Sequence, residues 1–130
     1  MIVVDASAAV FATVAGDGFH RFGSGEIAAP ALLWSEVTSA LRQMTVRRDI
    51  TADVARAALR RLNEQPISRR TSARLLERAF TLAEDLGWAK TYDAEYVALA
   101  QDLRCPLVTV DARLRRGAAH LVEILGPADL

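Results

Sequence analysis

The chain holds 130 residues, 52% of them apolar, which is enough for one domain with its own core. Sixteen basic and sixteen acidic side chains cancel, so net charge exerts no pull toward nucleic acid, membrane or an acidic partner; any charged site must come from local segregation. Cys105 is the only cysteine, which excludes an intrachain disulfide and a cysteine-based zinc set.

The β-branched run Ile2 to Val4 predicts a strand, and Ala6 to Val14 a helix with Val10, Phe11 and Val14 at core spacing. Gly16, Gly18, Gly23 and Gly25 punctuate a loop, and Ile27 to Ala29 predict a brief strand stopped by Pro30. Pro30 opens a helix of about Ala31 to Arg48, with Leu33, Val37, Ala40, Leu41 and Met44 along one face, ending near Asp49. Thr51 starts another, with Val54, Ala57, Ala58 and Leu62 apolar, and PISRR behind it reads as a short strand. From Thr71 a further helix holds Ala73, Leu76, Ala79, Phe80, Ala83 and Leu86 until Gly87 stops it. Tyr92 to Leu103 predict one more, with Tyr96, Val97, Leu99 and Ala100 apolar; PLVTVD then reads as a buried strand and HLVEIL as a last one. Helices alternating with short apolar strands imply a mainly parallel sheet with helices on both faces, in one domain spanning 1–130 without repeats or linkers.

Sites in open parallel sheets form beyond the carboxyl ends of the strands. Asp5 closes IVVD and Asp111 closes LVTVD, so two carboxylates from distant sequence are expected at one edge. Asp93, in TYDAEY, starts the helix that leads into the strand ending at Asp111, and Glu36, in LLWSEV, lies at the margin of its helix's apolar stripe. Each aspartate taken alone is better explained as an N-cap, but Glu36 is not; its alternative is a surface pair with an arginine. Converging carboxylates raise one another's pKa values, a cost tolerated where a cation sits, and oxygen-only ligands favour Mg²⁺ or Mn²⁺ over zinc. Such an ion can activate a water and neutralise a phosphoryl oxygen, which is nuclease chemistry.

The segments VVDASAAV, LLWSEVTSAL, TYDAEYVALA and LVTVDARL together resemble the four acidic signatures of the PIN domain, and specifically the VapC toxins of toxin-antitoxin pairs. The resemblance covers nearly the whole chain in order and spacing, with no departure at an acidic position. It implies a three-layer α/β/α fold and a Mg²⁺- or Mn²⁺-dependent endoribonuclease with Asp5, Glu36, Asp93 and Asp111 as the metal-binding pocket. Ser7 and Thr109 match small hydroxyl positions that would hydrogen-bond the ligand carboxylates or metal-bound water; capping and strand propensity are their alternative roles. It also implies a homodimer, a VapB-like antitoxin whose C-terminal segment enters the active-site groove, and a heterotetramer or larger assembly with it. Trp34 and Met44 are candidates for that contact or for core packing.

Fifteen of the bases are arginine and only Lys90 is lysine, a bias that suits bidentate phosphate contact and that GC-rich coding explains equally. Arg113, Arg115 and Arg116, just after Asp111, are candidates to grip RNA, or form a solvated helix face. His20 and His120 lack ligand-like spacing and read as surface or structural. The N-terminus lacks signal-peptide features and no apolar run approaches the roughly 20 residues of a membrane span, so a cytoplasmic protein is expected.

Four rivals bound this reading. A receiver-like phosphoacceptor domain would need an acidic pair behind the first strand, an acceptor aspartate ending a middle strand and a late lysine; Asp5 has no acidic neighbour and Lys90 precedes Asp93. A non-catalytic PIN-like module that only docks RNA or protein would not need all four acids. Serine hydrolysis and P-loop binding lack their motifs, since FGSGE is not G-x-S-x-G, and Gly23 and Gly25 read as loop hinges.

Overall fold

The computed structural model describes residues 1–15 and 18–130, so Gly16, expected in the loop after the first helix, lies outside the described residues. Five strands form one parallel sheet: β1 (Ile2–Val4), β2 (Ile27–Ala29), β3 (Ile67–Arg69), β4 (Leu107–Val108) and β5 (Ile124–Leu125), in the order β3-β2-β1-β4-β5. The connecting helices are α1 (Ala6–Val14), α2 (Leu32–Val46), α3 (Ala52–Glu64), α4 (Ala73–Leu86), α5 (Tyr92–Leu103) and α6 (Ala112–Ala118), with 3-10 turns at Gly18–Phe22 and Pro127–Asp129. The chain moves outward from β1 to β3 and returns to lay β4 on the other side of β1. Right-handed crossovers in opposite directions put α1, α2 and α3, which pack together, on one face and α4 and α5 on the other. That is the three-layer α/β/α arrangement.

Local chemistry sets the helix ends. Thr51 and Ser72 accept the N–H groups of Val54 and Leu75 through their side chains at 3.2 and 3.1 Å, each cap stabilising its helix by about 1 kcal/mol. Gly87 ends α4 at φ 71°, a left-handed conformation that costs a glycine nothing. The core runs through Val3, Val4, Ile27 and Leu107 of the sheet, Leu33, Val37 and Leu41 of α2, and an unbroken buried run from Ala94 to Ala100 in α5. That run is buried because α5 lies between α4 and strands β1 and β4. Arg78 of α4 bonds Gln101 and pairs with Asp102, locking the two helices together.

Several apolar positions fall outside the expected core. In α1 the small residues Ala8, Ala9, Ala12 and Thr13 face inward, Val10 and Val14 are half-buried, and Phe11 is exposed beneath the Arg21 guanidinium. Close approach of α1 to the sheet and to two other helices demands side chains without bulk. Val54 of α3 and Leu76 and Phe80 of α4 are also exposed, the last two by 49% and 60%. The buried face of α4 is instead Leu75, Ala79 and Ala83. The expected strands PLVTVD and HLVEIL shorten to β4 and β5, so Asp111 lies beyond the strand it was expected to close.

Candidate active site

Strand order reverses between β1 and β4, where an open parallel sheet forms a crevice beyond its carboxyl edge. Val4 lies abreast of Val108 in the parallel register, and the Asp5 N–H donates to the Val108 carbonyl at 3.1 Å. The side chains emerging at the crevice are therefore Asp5 and Thr109.

Asp5 is 4% exposed and its carboxylate is closely bound. Oδ1 accepts the Ser7 hydroxyl at 2.7 Å and the Ala8 N–H at 2.9 Å, while Oδ2 accepts the Thr109 hydroxyl at 2.5 Å. The same two hydroxyl oxygens accept the N–H groups of Val110 and Asp111 at 3.1 and 3.0 Å. Ser7 and Thr109 thus orient Asp5 and tie the start of α1 to the loop entering α6. Asp5 is also the N-cap of α1, so capping and the site are one geometry at this residue.

The other three acids approach from separate elements. Glu36, half-buried in α2, accepts the Tyr96 hydroxyl of α5 on Oε1 at 2.6 Å. Asp93 is the second residue of α5, behind Thr91, and caps nothing. Asp111 caps α6, accepting the Arg113 and Leu114 N–H groups at 2.9 and 3.3 Å, and pairs with the Arg113 guanidinium at 3.8 Å. A cap therefore accounts for Asp5 and Asp111 locally, but not for Asp93.

Charge links these groups. Burial pushes the Asp5 carboxyl up, opposed by its bonds from Thr109, Ala8 and Ser7, and the charge of Asp93 pushes it further. Glu36 is raised by burial and by the charges of Asp93 and Asp5, against the bond from Tyr96. Asp93 is raised by burial and by Asp111, with Arg113 opposing. No three of the acids stand as a closed ligand set among the described residues. What fits a divalent cation is the all-oxygen donor chemistry and the mutual destabilisation of charge, which an ion would relieve.

Beside the acids lies a groove of about 510 Å³, lined in part by Glu36, Trp88, Lys90, Tyr92, Asp93 and Arg113. Arg113 reaches this groove, whereas Arg115 bonds the Ile124 carbonyl and Asp129 at 3.0 Å each, holding the C-terminal turn. Arg116 is exposed and has no ion pair among the described residues. His20 lines a different hollow with Arg61 and Glu64. Trp34 is half-buried beneath the Arg69 guanidinium, 4.1 Å from its ring, and Met44 packs against the core.

Two site neighbours escaped the sequence reading. Tyr96 was placed as core, which it is, but its hydroxyl needs a partner inside the protein and finds Glu36. Glu95 is only 8% exposed, and burial and the Glu36 charge raise its pKa. A carboxylate inside an otherwise apolar run, Ala94 to Ala100, was the available signal.

Comparison with known proteins agrees with this arrangement. The PIN domain family matches residues 2–119. Ribonuclease VapC9 of Mycobacterium tuberculosis is 40% identical over 116 residues, covering 88% of each chain. Two solved structures share the fold: PAE2754 from Pyrobaculum aerophilum, with a TM-score of 0.72 and 23% identity over 94% of this chain and 82% of that one, and a toxin-antitoxin complex from Klebsiella pneumoniae, with a TM-score of 0.62 and 18% identity over all of both chains. A family match over residues 2–119, and 40% identity to a VapC ribonuclease over 88% of each chain, lead to one conclusion: the chain belongs to the PIN domain family and, within it, to the VapC ribonucleases.

Proposed function

We propose that this chain is the toxin of a toxin-antitoxin pair, a Mg²⁺- or Mn²⁺-dependent endoribonuclease whose metal is held by Asp5, Glu36, Asp93 and Asp111. The observation that carries the metal reading is the chain of like charges across the crevice, in which Asp5, Glu36 and Asp93 are all raised and each feels another acid. Side chains arranged at such a cost have a use for a cation.

When bound, the ion lowers the pKa of a water and neutralises charge on a phosphoryl oxygen. The protein's own groups do the rest. Ser7 and Thr109 fix the Asp5 carboxylate from both oxygens, and Tyr96 fixes Glu36. Arg113, exposed at the groove mouth, meets the phosphate backbone, with Arg116 next to it on α6 and Arg115 bracing the C-terminal turn. RNA is the substrate this arrangement suits, in keeping with the ribonuclease relative. The toxin-antitoxin complex among the structural neighbours supports a VapB-like antitoxin as partner. The exposed Leu76 and Phe80 supply apolar surface for a homodimer, which would join the antitoxin as a heterotetramer or larger.

The test is incubation of purified protein with structured RNAs in Mg²⁺, Mn²⁺ or EDTA. Cleavage that needs metal and is lost in Asp93→Asn supports the reading; undiminished cleavage in EDTA removes the metal from it. Growth arrest on expression, relieved by a small protein that co-purifies with the chain, tests the toxin assignment.

A further inference from the structure

The groove next to the acids holds one feature that the nuclease chemistry does not use. Tyr92 is the first residue of α5, immediately before Asp93, and is 53% exposed at the groove wall. No hydrogen-bond partner holds its hydroxyl among the described residues, and its ring is not in the core, unlike Tyr96 one turn further on. Lys90, the only lysine of the chain, lines the same wall with no ion pair among the described residues. Arg113 lines the same groove with a side chain that is 83% exposed.

An exposed aromatic ring that shares a groove with two cations has a specific chemical complement. A neutral flat surface is matched by stacking, and the cations of the same groove match anions near that surface, as phosphates are near a base in a polynucleotide. A base paired within a duplex cannot offer its face, because both faces are covered by neighbouring pairs; an unpaired base can. We infer that Tyr92 is a stacking platform for an unpaired base next to the scissile phosphate, with Lys90 and Arg113 contacting the phosphates on its two sides. Tyr92 then supplies binding affinity for the unpaired base beside Asp93, its sequence neighbour. The inference rests on the ribonuclease reading and assigns a substrate-binding residue to the same site.

The experiment uses the full chain and a mixed-sequence single-stranded RNA pool, end-labelled, with Mg²⁺. Steady-state cleavage is measured for the parent and for Tyr92→Ala, Tyr92→Phe and Tyr92→Trp. Tyr92→Ala should raise KM by about tenfold with kcat nearly unchanged, while the two aromatic variants keep the parental KM. Because the residue is exposed, truncation leaves the core intact, and a thermal melt checks this. A second arm reads binding by fluorescence anisotropy, comparing the RNA pool with an abasic ribose-phosphate chain of equal length. The parent should prefer the base-bearing chain by about tenfold, and Tyr92→Ala should show no preference. A parental KM in Tyr92→Ala, or a parent that binds the abasic chain as tightly as RNA, overturns the platform. A parent that cleaves no RNA overturns the nuclease reading instead, while the abasic comparison still decides whether Tyr92 grips a base.

Discussion

The Thr109 hydroxyl donates a hydrogen bond to Asp5 across 104 residues of sequence, and its oxygen simultaneously accepts the Asp111 N–H. One side chain therefore holds both the buried carboxylate behind β1 and the backbone that leads into α6. Removing the hydroxyl in Thr109→Val keeps the shape but leaves Asp5 Oδ2 and the Asp111 N–H without partners, at a cost of about 1–3 kcal/mol. The bond from Thr109 is the largest influence holding the Asp5 carboxyl down, so that group should rise further and bind metal more weakly, by about 10- to 100-fold. Thr109→Ser should restore most of both. Thermal melts and the metal dependence of RNA cleavage check this; a valine variant with parental metal dependence would reduce Thr109 to a strand residue.

Asp93 and Asp5 should answer differently to the same amide substitution. Asp93 caps no helix and is destabilised by burial and by the Asp111 charge, so Asp93→Asn should be at least as stable as the parent in EDTA, by on the order of 1 kcal/mol. Asp5→Asn places an N–H₂ group where Ser7, Ala8 and Thr109 all donate, and the surplus donor should cost about 1–3 kcal/mol despite the lost repulsion. Both variants should lose RNA cleavage and gain less stability from added Mg²⁺. Paired melts in EDTA and in Mg²⁺ measure this. An active Asp93→Asn protein with a parental Mg²⁺ shift would remove Asp93 from the ligand set.

Much of this site was legible because its acids mark the ends and starts of elements. Asp5 follows a β-branched strand, Glu36 sits in a helix at the edge of its stripe, and Asp93 opens a helix whose boundaries, Tyr92 and Leu103, the periodicity gives directly. The exposed Phe80 and Leu76 were not legible, because a three-and-four spacing of apolar residues does not say which of two adjoining stripes meets the rest of the domain. In α4 the alanines do, since Ala79 and Ala83 allow the close approach that α5 requires. The partners of Arg115, Ile124 and Asp129, were not legible for a related reason: they belong to a C-terminal turn whose path no local pattern reveals. The Glu36 to Tyr96 bond spans 60 residues and depends on the sheet bringing side chains of α2 and α5, helices on its opposite faces, to one edge.

The raised acids also fix how stability should vary with pH when metal is removed. Asp5, Glu36 and Asp93 hold their protons more tightly in the folded protein than at their ordinary values of 3.8, 4.5 and 3.8. The folded state therefore binds more protons than the unfolded chain just above those values, and the stability this provides is lost as pH rises through the raised pKa values. In EDTA the melting temperature should fall as pH rises from about 4 toward neutrality, and the fall should be shallower in Asp93→Asn. Added Mg²⁺ should offset the loss at neutral pH, where the carboxylates are charged and free to bind it. A parent and variant with identical pH profiles in EDTA would mean that Asp93 does not contribute to the repulsion.

The placement of α6, which carries Asp111 and Arg113, depends on a glycine that helix propensity disfavours. Gly117 lies inside α6, where alanine would ordinarily add about 1 kcal/mol of stability. A Cβ at that position would stand 3.1 Å from Cζ2 of Trp88, whose half-buried indole packs against the core beside the turn that ends α4. The side chain and α6 must then separate by a few tenths of an ångström, and the movement is passed to Asp111 at the helix's first turn. Gly117→Ala should therefore fail to gain the propensity term, and cleavage should need more metal than in the parent. In a Trp88→Leu background, where the indole edge is gone, the same alanine should stabilise by about 1 kcal/mol. The thermodynamic cycle of the two substitutions should show a coupling of about 1 kcal/mol, well above the scatter expected for independent sites. Additive effects in that cycle would mean that the indole does not set the position of α6, and that the metal dependence of Gly117→Ala has another origin.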